Sequence, residues 1–146
     1  MADVSVTAAN VLASSRAIKQ VYTAGATITA GQTVYMDATT NTVKLANADS
    51  TTATAQCLGV ALHAALAGQP VVVCLSDPIF TPGFTLSLAS ATGGIYLLSG
   101  NNAGGICAKA DFATGWTPVP LILALSTTTG ILISGSVVNG AAAFTS

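Results

Sequence analysis

Two apolar runs joined by a short turn constrain the fold more than any other feature of the chain. They are Cys57-Leu58-Gly59-Val60-Ala61-Leu62 and Pro70-Val71-Val72-Val73-Cys74-Leu75, with the turn-rich stretch His63 to Gln69 between them. Short runs rich in Val and Leu and closed by Gly, Pro and Ser are strand-like, whereas an amphipathic helix needs apolar spacing near 3.6 over a longer window. A β-hairpin at the centre of a sheet is therefore expected. Just upstream, Ile28, Gly31 and Val34-Tyr35 repeat the pattern of strand, glycine turn and strand.

From Ala24 onward the same order of elements occurs twice. The first pass holds Val34-Tyr35, a turn at Thr40-Asn41, Val43-Lys44-Leu45, a polar loop from Asn47 to Thr54 and the central hairpin. In the second come Ile95-Tyr96-Leu97-Leu98, a turn through Gly100-Asn101-Asn102, Ile106-Cys107-Ala108-Lys109, a loop from Asp111 to Pro118, Leu121 to Leu125, and Ile131 to Ser134. Tyr35 matches Tyr96, Leu62 matches Leu125 and Gly68 matches Gly130. Two pseudo-repeated units, about 24–76 and 84–136, are expected within one domain, since neither could bury enough surface alone. Asp77 to Phe84 lies between them, and its Pro78 and Pro82 predict a crossover outside ladder pairing. Val137 to Gly140 can add a last short strand, and Phe144 is either docked or exposed. The fold class expected is all-β, a compact barrel or sandwich over 24–146. Residues 1–23 lack clean periodicity and read as an extended N-terminal arm. Within it Ile18, Val21 and Tyr22 offer a strand, and Asn10 a cap for a short helix.

Composition narrows the function. Charged residues make up 6% of the chain, against roughly 25% in an ordinary soluble domain, and hydrophobic residues 51%. So uncharged a surface is expected to be covered by other copies or partners. Arg16, Lys19, Lys44 and Lys109 are the only cations, too few to neutralise a run of phosphates, so nucleic acid is not an expected partner. No apolar run approaches the roughly 20 residues of a membrane helix, and the start of the chain has no signal-peptide pattern. Three cysteines in strand-like runs suit buried thiols in a reducing compartment.

Little of the chain suggests reactive chemistry. Cys57, His63, Cys74 and Cys107 lack the close spacing of a zinc site, and a Cys57–His63 nucleophile pair has no evident orienting group. No metal, cofactor or catalytic residue is expected. The carboxylates are all Asp, mostly in turns where they cap backbone N–H groups. Gly93-Gly94 and Gly104-Gly105 precede no helix and no Gly-Lys-Ser or Gly-Lys-Thr, so they are hairpin turns rather than phosphate loops. Trp116, beside Gly115 and Pro118, either anchors a partner or plugs the end of the barrel.

Ile28-Thr29-Ala30-Gly31-Gln32-Thr33-Val34-Tyr35, Leu58-Gly59-Val60-Ala61 and Ala67-Gly68-Gln69-Pro70-Val71-Val72-Val73 together resemble the capsid cement, or head decoration, proteins of tailed bacteriophages. The likeness is good from Ala24 to about Leu75 and loose beyond. Loops in that family are usually richer in Asp, Glu and Lys. The resemblance implies a β-rich homotrimer on the outside of the virion capsid, made in the host cytoplasm and bound to the major capsid protein through terminal arms. On that basis the expected partner contacts are Val4, Val6, Val11, Leu12, Arg16, Ile18 and Lys19 of the arm, together with Trp116. A receptor- or glycan-binding domain of a phage fibre or spike is the alternative.

Overall fold

The computed structural model describes residues 3–49, 52–88 and 94–133. The chain is all-β. Its strands are β1 (Val11–Leu12), β2 (Ile18–Thr23), β3 (Thr33–Asp37), β4 (Thr42–Leu45), β5 (Cys57–Ala61), β6 (Pro70–Pro82), β7 (Ile95–Leu98), β8 (Ile106–Ala108), β9 (Pro120–Ala124) and β10 (Gly130–Leu132). One helical turn at Thr52–Ala55 and two 3-10 turns, Ala8–Asn10 and Lys109–Asp111, are the helical elements among the described residues. The expected strand at Val137 to Gly140, Phe144, Ser134 and Gly93 lie outside them.

The expected hairpin is β5 and the first half of β6, paired antiparallel with Val60 opposite Cys74 and Ala61 opposite Val73. The main sheet runs β4-β3-β5-β6-β10-β9-β7-β8, all antiparallel along this path, so each flank has the same order from its edge to the centre. The turn expected at Thr40-Asn41 joins β3 to β4. Asn41 takes a positive φ of 58°, which its short polar side chain tolerates.

Alternation along β6 creates two cores. Val71 and Val73 enter a smaller cluster with Ala24, Ile28, Val34, Val43, Ala61 and Ala65. This cluster fills a ring of β2, β6, β5, β3 and β4, which the parallel bridge of Ala24 with Val43 draws together. Cys74 and Phe80 face the larger cluster, which takes Cys57 and Val60 from one half of the chain and Tyr96, Leu98, Leu121, Ile122 and Leu132 from the other. β5 and β6 thus meet a core on each face, which explains continuous apolar runs where a one-sided sheet would alternate.

The crossover expected at Asp77 to Phe84 is not there: β6 continues through Pro78 to Pro82. Three residues of β10, Gly130 to Leu132, span four of β6, Phe80 to Asp77, so the missing N–H of Pro78 falls at a bulge. Pro82 ends the strand. Asp77 is buried at this bulge, and its carboxylate accepts the N–H of Ile79 at 2.9 Å, the N–H of Ser14 at 2.7 Å and the Ser14 hydroxyl.

The extended arm is not confirmed either. β1 and β2 both pair with β6, Val11 opposite Pro82 at one end and Thr23 opposite Pro70 at the other. Further upstream, the N–H of Val4 donates to the Ile106 carbonyl and that of Thr7 to the Gly83 carbonyl, both at 2.8 Å. Two glycines make room for this segment. At Gly31, with φ of 89°, a Cβ would stand 2.5 Å from a methyl of Val6; at Gly83, with φ of 86°, it would stand 2.7 Å from the Thr7 carbonyl oxygen. The sequence does not mark β2 because a strand exposed on most of its residues carries no apolar alternation.

Asp77 therefore ties the β1–β2 connection to the centre of the sheet. Asp77→Ala strands two backbone donors and is expected to cost roughly 3 kcal/mol, since hydrogen bonds to a charged group contribute about 1.5 to 3 kcal/mol each. Urea denaturation checks this as a lowered midpoint at constant slope. An unchanged midpoint would show that the latch is idle.

Candidate functional surface

The thiols offer no nucleophile. Cys57, Cys74 and Cys107 are free and buried. Burial pushes the Cys57 thiol up to about 12, and burial with the nearby Asp77 charge does the same to Cys74. Cys107 is raised to about 11 by burial and by Asp3 and Asp111. His63 is committed to backbone: its Nε2 accepts the Val72 N–H at 3.0 Å, so Nδ1 carries the proton and donates to the Ala64 carbonyl at 3.0 Å. Both ring nitrogens are thereby used in holding the β5–β6 turn. Among the described residues no cluster of His, Cys, Asp or Glu is arranged to hold a metal ion.

The carboxylates serve the fold as well. Asp3 accepts the Ser99 hydroxyl and the Asn102 side-chain amide, fixing the start of the chain to the β7–β8 turn. Asp37 caps the Thr39 N–H at 2.9 Å and pairs with Lys44 at 2.7 Å, and the Lys44 hydrogen bond holds its carboxyl below the usual range. That is the only ion pair among the described residues. A cavity of about 470 Å³ lies between residues 5–12 and 81–85 and includes Ser5, Thr7, Asn10, Leu12, Thr81 and Phe84. Its lining offers hydroxyl and amide groups but no His, Cys, Lys, Asp or Glu to act as acid or base.

What remains is surface. The residues expected to contact a partner divide into two groups. Val11 is buried in the larger core, and Val4 and Val6 are half-buried against it, so the packing of the N-terminal segment turns these three inward. Leu12, Arg16, Ile18 and Lys19 are exposed on β1, β2 and the connection between them, Leu12 at 62% and Ile18 at 60%. Val21, 57% exposed, joins them. Opposite Val72 and two positions from Lys19, it shares a face with that lysine. Its exposure follows from the register: with Tyr22 packed against the smaller core, alternation turns Val21 outward, which the sequence of this segment does not show without its pairing.

Trp116 is remote from this edge in the topology, on the loop before β9. It is half-buried, packs edge-on against Phe112 with ring centroids 5.5 Å apart, and lies over Gly100, where a Cβ would come within 2.5 Å of the indole. This packing gives the indole an internal role in joining the loop to the β7–β8 turn.

The buried thiols give a direct check. A thiol raised to about 12 is ionised in about one molecule in ten thousand at pH 8. The native protein is expected to react negligibly with a disulfide reagent such as DTNB over minutes, and all three cysteines to react once urea unfolds it. One thiol titrating rapidly in the native state would restore a Cys nucleophile to consideration.

No curated protein matches the chain. A family model described as phage cement protein matches residues 2–76, slightly more than half the sequence, from the N-terminal segment through β5 and the first part of β6. Such proteins are structural and associated with the virion capsid. The chain belongs to the phage cement protein family.

Proposed function

We propose that the protein sits on the outside of a phage capsid as a homotrimer and stabilises the shell by binding its major capsid subunits. The match to phage cement protein over residues 2–76 carries this reading. Its physical support is the surface. Leu12, Ile18, Val21, Leu66, Ile79, Leu88, Leu123 and Leu125 are large apolar side chains exposed in the isolated chain, and only 6% of residues are charged to keep such a surface apart from others. A symmetric trimer multiplies weak contacts into firm attachment without any single strong interface. Three buried free thiols suit synthesis in a reducing host cytoplasm. The matching strand order on the two sides of the sheet favours the two pseudo-repeated units, 24–76 and 84–136, as one domain around a shared core.

The test is reconstitution. Purified protein added to phage heads assembled without it is expected to occupy one symmetric set of external positions by cryo-electron microscopy and to raise the temperature at which the heads disrupt. Light scattering of the free protein is expected to give three times the chain mass of 14.4 kDa. Location on a tail fibre, or heads that neither bind the protein nor gain stability, would refute the assignment.

A further inference from the structure

The two end strands of the main sheet, β4 and β8, are each met by a neighbouring backbone. At β4, the Val43 carbonyl accepts the N–H of Gly25; at β8, the Ile106 carbonyl accepts the N–H of Val4. By contrast β2 is paired on one side only. It bonds to β6 along Ile18–Thr23, all of it exposed except half-buried Tyr22, and among the described residues no hydrogen bond reaches its outer edge before Ala24 bridges Val43. Alternate N–H and C=O groups of the outer edge are therefore free to template another strand. Ile18 and Val21 supply apolar contacts beside them.

Charge decides what fits there. Arg16 and Lys19 are two of only four cations in the chain, both are exposed, and neither is in an ion pair among the described residues. A second copy presenting the same edge is a poor occupant. No Asp or Glu lies between Asp3 and Asp37, so it would bring two more cations and no counter-charge. Antiparallel pairing of β2 with itself is also twofold, and cannot build the trimer proposed above. We infer that the outer edge of β2 receives an extended acidic segment of a major capsid subunit as an added strand, with its backbone on Ile18–Thr23 and its carboxylates at Arg16 and Lys19. This rests on the capsid-binding reading and goes beyond it by assigning the surface and the chemistry of the partner.

The experiment uses the full-length protein and heads assembled without it. Arg16→Glu/Lys19→Glu is expected to weaken binding about tenfold or more and to reduce its salt dependence. Lys109→Glu, an exposed reversal away from this edge, is expected to bind as wild type, and thermal melts confirm that each variant folds. Hydrogen exchange should show the outward β2 amides, those not bonded to β6, gaining protection only when heads are added. Wild-type binding by the double variant, or outward β2 amides already protected in the free oligomer, would overturn the inference while leaving the capsid role intact. Failure of the wild-type protein to bind heads at all would overturn both.

Discussion

The structure depends on β6, which pairs with four other strands in turn. β2 and β5 flank it at Val73 and Cys74, β10 pairs with it from Asp77 to Phe80, and β1 at Thr81 and Pro82. This strand of 13 residues becomes the common wall of two cores, with Val71 and Val73 facing one and Cys74 and Phe80 the other. Burial of these side chains removes each from water at a gain of about 1.5 to 3 kcal/mol. That gain is available only if the strands on both sides are in place.

Backbone contacts extend the same dependence across the sheet. The N–H of Thr33 donates to the Gly104 carbonyl at 3.0 Å, that of Gly104 to Ala46 at 2.7 Å, and that of Ala48 to Ser99 at 3.1 Å. The β7–β8 turn is thus bonded directly to the first half of the chain. With Ile122 and Val60 in a single cluster, the larger core is complete only when both halves are present, whereas the smaller one lies within the first half. The N-terminal segment completes the enclosure, because Val6 and Val11 cover apolar surface that Gly31 and Gly83 leave open to them. The same packing presents β2 as an exposed edge.

Much of this was legible in the sequence. The central hairpin, the Asn41 turn and the β7, β8 and β9 runs follow from β-branched and leucine-rich segments punctuated by Gly, Asn and Pro. The continuation of β6 was not, because Pro78 and Pro82 argue against a strand unless a bulge absorbs the first and the strand ends at the second. Nor was β2, whose sequence Ile-Lys-Gln-Val-Tyr-Thr lacks alternation because both of its faces meet solvent over most of its length. On the candidate surface, exposed apolar and cationic residues could be named from the sequence, as with Leu12, Arg16, Ile18 and Lys19. Their separation from inward-facing Val4, Val6 and Val11 depends on the pairing of β1 and β2 with β6 and on the backbone bonds of Val4 and Thr7 to Ile106 and Gly83. Trp116 shows the same limit, since its packing on Gly100 and Phe112 joins residues distant in the chain.

The claim that β6 makes the two halves one cooperative unit is tested most directly by native-state hydrogen exchange at increasing urea. The Ala61 amide, bonded to the Gln32 carbonyl, reports on the first half, and the Leu98 amide, bonded to the Val119 carbonyl, on the second. One shared core requires both to exchange through the same global opening, with equal free energies and equal urea dependence. If Leu98 exchanges through a separate opening of lower free energy while Ala61 stays protected, the halves are independent and the central role of β6 is wrong.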